Sequence, residues 1–264
     1  MSAPILERGI ALRRRTMLGW GIGSGLFTAL ILAVFPVIRD DPTFDELLAE
    51  YPEPVLALVG DATLSSGPGF MSAELYSLVL PVMVAVIAVT TAAAALAGED
   101  ERGWLALVLA GPLARDRLVG EIALTVAVVT AGPVMASAVV VAVGGPLVEL
   151  DLSFAALAAV SVSTWLFGLV FGAVALIAGA YDGRRATAVT AGVGFLLFAY
   201  GAEIVGATAS WGEFLRELSP FHHLVGSQPA VDGAPWGAIV IAVLTVLAAV
   251  EFAARLLTRR DLVG

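Results

Sequence analysis

Six apolar runs alternate with shorter polar stretches along the chain, at about 17–38, 75–97, 118–143, 154–180, 187–209 and 236–257. An apolar helix of about 20 residues crosses the hydrocarbon core of a bilayer. The pattern therefore predicts an all-α, polytopic membrane protein with six transmembrane helices. The first run starts too late and runs too long for a cleaved signal peptide, and no A-x-A-like site follows it, so it reads as a retained span.

The polar positions between the runs sort by side. Arg8, Arg13, Arg14 and Arg15 precede the first run; Arg102, Arg115 and Arg117 separate the second from the third. Arg184 and Arg185 follow the fourth, and Arg255, Arg259 and Arg260 close the sixth. Only Arg39 and Arg216 fall in the other connections, so 12 of the 14 arginines lie on one side. Cytoplasmic loops carry the excess of basic residues, which predicts both termini in the cytoplasm. The acids lean the other way. Asp40, Asp41, Asp45, Glu46, Glu50, Glu53, Asp61 and Glu74 fall in the first outer loop, and Glu149, Asp151, Glu213, Glu217 and Asp232 in later ones. Solubility of these loops accounts for them; a cation-collecting vestibule is the alternative.

Composition narrows the function. Of 264 residues, 59% are hydrophobic and 14% charged, with a net charge of −9. A soluble domain carries about 25% charged residues, so a water-soluble enzyme is excluded. The acidic balance also argues against nucleic acid, whose phosphates need clustered basic side chains. There is no cysteine and no lysine. The first absence removes disulfides and thiolate sites; the second removes a Schiff-base lysine and the lysine of a P-loop. An acidic, lysine-free chain suits the plasma membrane of a salt-loving or GC-rich prokaryote.

Several connections carry more than linker sequence. In the first outer loop Thr43 and Glu46 form a capping-box pair. Asp40, Asp41 and Asp45 there superficially resemble the aspartate cluster of membrane prenyltransferases, but no second cluster exists. In the loop 98–117, Glu99-Asp100-Glu101 suits a helix N-terminus. A short apolar helix follows over 104–109 and Gly111-Pro112 stops it, before Arg115 and Arg117. It is too short to span and fits a helix at the cytoplasmic surface. Residues 1–16, with Ile5, Leu6, Ile10 and Leu12 among the arginines, fit an interfacial elbow helix or plain positive-inside anchoring. The outer stretch 210–235 places Trp211, Phe214, Leu215, Leu218, Phe221, Leu224 and Val225 at helical spacing, broken by Pro220 and Pro229. It reads as a re-entrant pair of short helices. His222 and His223 lack a third ligand at a conventional spacing and read as packing residues.

Inside the spans, Glu203 is a costly intramembrane carboxylate, either a substrate contact or a partner for a neighbouring helix. Glu251 has Arg255 four residues later, an ordinary helical ion pair. Gly19, Gly21, Gly23 and Gly25 give two overlapping GxxxG spacings, and Gly168 with Gly172 a third. Such spacings mark close helix contacts without naming the partner.

The loop pattern Glu101-x-Gly103-x-Leu105-x-x-Val108-Leu109-x-x-Pro112-x-x-Arg115 resembles the cytoplasmic loop of type-two ATP-binding-cassette (ABC) permeases. Trp104 and Gly111 stand where that family usually has a hydroxyl residue. Ser219-Pro220 before the last span, and Phe252 followed by Arg259-Arg260-Asp261-Leu262, resemble the same family. The resemblance covers the whole chain. It implies the type-two permease architecture: a half-transporter, usually an exporter, pairing with a second permease, as homodimer or heterodimer, and with two ABC ATPase subunits. ATP and Mg would sit on those partners, and no cofactor on this chain. Glu99, Glu101, Gly103, Leu105, Leu109, Pro112 and Arg115 would form the coupling helix. Gly19, Gly21, Gly23 and Gly25 would lie at the dimer contact, and Glu203 near the translocation path. Two rivals are an ion-coupled secondary transporter using Glu203 and an intramembrane enzyme, for which the chain offers no convincing nucleophile–base set. A structural membrane subunit is a third.

Overall fold

The computed structural model describes residues 4–39, 66–111, 113–208 and 212–260, and every regular element among them is helical. Helix α1 runs from Pro4 to Arg39 without a break. The boundary expected at residue 17 is absent from the backbone: the arginine-rich segment continues straight into the span. The reason is local. A switch from polar to apolar side chains does not end a helix, and no proline falls near residue 17 to break it. At 1.5 Å per residue the helix is about 54 Å long, well beyond the ~30 Å hydrocarbon core.

The second span begins earlier than its apolar run. Ser66 caps helix α2 (Gly67–Met71) by accepting a hydrogen bond from the Gly69 N–H at 3.2 Å. A π-turn over Ser72–Tyr76 leads into α3 (Val79–Ala95). Leu96 breaks the line and α4 (Ala97–Glu101) follows. Gly103, at φ +73°, turns the chain into α5 (Trp104–Leu109). Helix α6 (Arg115–Gly144) ends in a 3-10 turn; α7 (Phe154–Asp182) opens on a Ser153 cap and closes on Gly183 at φ +73°. Helix α8 (Arg185–Thr208), the short α9 (Glu213–Glu217), a π-turn at His222–Gly226 and α10 (Trp236–Arg259) complete the chain. Among the described residues six helical stretches are long and apolar enough to cross a membrane, the number the hydropathy pattern predicts.

Helix α7 is the central element and packs against α3, α6, α8 and α10; α1 lies chiefly along α6. The core around α7 includes Phe167, Phe171, Ala88, Val89, Ile122 and Val126. The close approach of α3 and α7 explains one glycine pair. A Cβ on Gly168 would sit 2.5 Å from Val84 Cγ1 and 3.1 Å from the Val84 carbonyl carbon, and one on Gly172 would sit 3.1 Å from Ala88 Cβ. The Gly168→Ala variant is expected to lose about 1–3 kcal/mol, the usual cost of overpacking. A thermal melt in detergent should show this as a lower midpoint. Gly194→Ala, which meets nothing within 4 Å, should not lower it.

Side-chain contacts bring residues 5–8, 99–121, 179–185 and 257–260 together at one end of the bundle. This is the arginine-rich end. Arg39 meets Glu149, and Glu203 meets Arg216, at the opposite end.

Candidate functional site

The loop 98–117 is tied into the arginine-rich end from several directions. Glu99 is buried and its carboxylate pairs with Arg8 at 3.4 Å and Arg102 at 2.9 Å. The Arg8 guanidinium also lies 3.9 Å from the centre of the Trp104 ring, a cation–π contact. Glu101 Oε1 accepts a hydrogen bond from the Arg185 N–H at 2.8 Å. It thereby satisfies one of the four N–H groups that the start of α8 leaves unpaired. Arg115 Nη1 donates to the carbonyls of Leu257 (2.5 Å), Thr258 (3.0 Å) and Arg260 (3.2 Å), closing the end of α10. Arg260 pairs with Asp100 and donates to the Gly179 and Ala180 carbonyls near the end of α7. Cations at helix C-termini are favourable because the last carbonyls carry the negative end of the helix dipole.

Residues 97–115 therefore hold the ends of four spans, α1, α7, α8 and α10, in register. Leu105 is buried, while Trp104 and Leu109 pack partly against the core. Gly103 supplies the left-handed turn, with open space around its Cβ position. Pro112 lies outside the described residues. Leu107 is 75% exposed: on a helix of 3.6 residues per turn it points away from Leu105 and Leu109. It is the large apolar side chain that α5 presents outward, and the sequence pattern did not single it out. Its signal was its offset of two from the inward-facing Leu105 and Leu109.

Glu121 is a second residue outside the sequence pattern. It is buried on α6; Oε2 accepts from the N–H groups of Ile5 (3.0 Å) and Leu6 (3.2 Å), and Oε1 from Arg117 Nε (2.9 Å). A carboxylate at a helix N-terminus completes unpaired donors and favours the dipole. It fastens the start of α1 to α6.

At the opposite end Glu203 is fully buried on α8, and its Oε1 accepts from Arg216 Nε at 2.8 Å. His222 Nδ1 lies 3.7 Å from the same oxygen. Glycine makes the approach possible, since a Cβ on Gly206 would sit 2.7 Å from Arg216 Cβ. The following segment turns inward. Ser219 Oγ donates to the Ala199 carbonyl at 3.0 Å, and Phe221, Leu224 and Val225 are buried in the same core as α7. Phe214 and Leu218 stay exposed. His223 Nε2 is 2.7 Å from the Glu217 carbonyl. Trp211, like the capping pair and aspartates of the first outer loop, lies outside the described residues.

Gly19, Gly21, Gly23 and Gly25 of α1 divide into two faces. Gly21 and Gly25 face α6, near Gly132, Ala136 and Val140, whereas positions 19 and 23 meet nothing within 4 Å. The inward face is reinforced by Ser24, which donates to the Pro133 carbonyl at 3.0 Å, and Thr28, which donates to Ser137 Oγ at 3.0 Å. Leu18, Ile22, Leu26 and Leu30 are exposed on α1, on the side of Gly19 and Gly23.

The family model described as "ABC-2 family transporter protein" matches residues 4–262. No curated protein matches the chain.

Proposed function

The chain belongs to the ABC-2 transporter family, and on that premise we propose that it is the half-permease of an ATP-driven exporter. As a member it is a multi-pass membrane subunit of an ABC transporter. In the proposed complex two such permeases form the path, two ATPase subunits bind the arginine-rich end from the cytoplasm, and ATP with Mg is bound and hydrolysed on those partners. The location is the plasma membrane of a prokaryote.

The observation that carries this reading is the fastening of the loop 97–115. Glu99 reaches α1, Glu101 reaches α8, Arg115 reaches α10, and Asp100 engages Arg260, which also holds α7. A push on α5 is thus delivered to several spans together, which suits rigid-body alternating access. Leu107 is the contact point; Glu99, Glu101 and Arg115 position it. Glu203 belongs to the outer closure, joined to Arg216, rather than to an ion-coupling site.

The absence of cysteine makes the test direct. A Leu107→Cys variant carries one thiol, and cross-linking to a cysteine in the cleft of the co-expressed ATPase should be strong and should change with nucleotide. Substrate export from vesicles should require ATP. Transport by the purified chain without any ATPase overturns this reading in favour of an ion-coupled carrier.

In the proposed complex the second permease packs on the outward glycine face of α1, which this chain leaves open. Gly23→Leu adds a side chain into space that this chain leaves open, so the monomer's melting midpoint should hold. Association of two permeases should weaken, read as a shift toward monomer in light scattering of the detergent-solubilised protein. An unchanged dimer would move the contact to another face.

A further inference from the structure

Between α1 and α3 at the arginine-rich end lies an open cleft of about 330 Å³, bordered by Arg13, Thr16, Thr91, Glu99 and Arg102 among others. We propose that this cleft binds the phosphate group of an anionic phospholipid from the adjoining leaflet.

The charge around the cleft is out of balance. Arg8, Arg13 and Arg102 surround a single carboxylate, Glu99, which is already engaged by Arg8 at 3.4 Å and Arg102 at 2.9 Å. Arg13 is left with one hydrogen bond among the described residues, to the Gly9 carbonyl of its own helix at 3.3 Å. A guanidinium carries five N–H donors, so most of its capacity is unused among the described residues. The hydroxyls of Thr16 and Thr91 donate to nothing among the described residues. Phosphate suits this set, because guanidinium groups bind its oxygens bidentately and hydroxyls can complete the shell.

The depth also fits a lipid. Arg13 lies four residues before the first apolar run, at headgroup level. Basic pockets between transmembrane helices on the cytoplasmic side take anionic headgroups, each arginine adding roughly a fivefold preference. The cytoplasmic assignment names the leaflet only; the binding itself does not depend on it.

The test counts lipid bound to the purified full-length chain in detergent, offered equimolar phosphatidylglycerol and phosphatidylcholine, by native mass spectrometry. The wild type should retain phosphatidylglycerol over phosphatidylcholine by about fivefold or more. Arg13→Gln should abolish the preference, and Thr91→Val, nearly isosteric, should reduce it in a protein with an unaltered melt. Arg14→Gln, outside the cleft, should keep it. Equal retention of the two lipids by the wild type, or an undiminished preference in both cleft variants, overturns the proposal. Displacement of phosphatidylglycerol by millimolar inorganic phosphate would make this a free-phosphate site and would overturn the lipid assignment.

Discussion

Arg216→Met is expected to destabilise the protein by about 3 kcal/mol, the lower end for breaking a buried ion pair from one side. The carboxylate it abandons, Glu203, is 0% exposed and receives its 2.8 Å hydrogen bond from Arg216 Nε. With the guanidinium gone, only His222 among the described residues remains near, at 3.7 Å, and the other carboxylate oxygen, Oε2, is buried with no hydrogen bond from a described residue. The reverse change is milder. Glu203→Gln removes the buried charge itself and keeps an acceptor for Arg216, whose side chain is 34% exposed and can turn toward water. The double variant Arg216→Met with Glu203→Leu should recover most of the loss, because neither charge is left unpaired. Thermal unfolding midpoints of the four proteins in one detergent decide the matter. Equal losses for the two single variants would show that the pair contributes little and that the segment after residue 212 is held by Phe221 and its neighbours alone.

Leu107→Glu is expected to abolish productive association with the ATPase while leaving the permease folded. At 75% exposure the side chain contributes little to the fold, and exposed substitutions usually stay within about 0.5 kcal/mol. In the proposed complex the same side chain enters an apolar cleft, where a charge forfeits a contact worth about 2 kcal/mol or more, a loss of roughly thirtyfold in affinity. Co-purification and substrate-stimulated ATP hydrolysis should both fall, with an unchanged melt. Leu105→Glu should behave differently: it places a charge where the side chain is 1% exposed, and the permease itself should fail to accumulate. Full ATPase association by Leu107→Glu would remove α5 from the docking surface.

These two predictions stand at different distances from the sequence. The loop 98–117 was legible through its resemblance to the family's cytoplasmic loop, with an acid, a glycine, three apolar residues, a proline and an arginine in order. What each residue touches was not. Glu101 meets Arg185 and Arg115 meets Leu257, partners 84 and 142 positions away; no local periodicity links them. Glu203 was legible as a buried carboxylate in an apolar run, yet its partner depends on Gly206 allowing Arg216 to approach. The elbow was drawn at a polarity change, and α1 passes through it because helix continuity is a backbone matter.

Six spans and the sorting of arginine follow from the sequence alone, since the number of apolar residues needed to cross a bilayer and the placement of charge are properties of each segment in its solvent. The faces are different. Gly21 and Gly25 turn toward α6 while Gly19 and Gly23 do not, and Leu105 is buried while Leu107 is exposed. Each of these segments is apolar on every side, so hydropathy cannot rank the faces. Only close packing with a particular neighbour distinguishes one face from the next, and that neighbour is chosen by the tertiary structure.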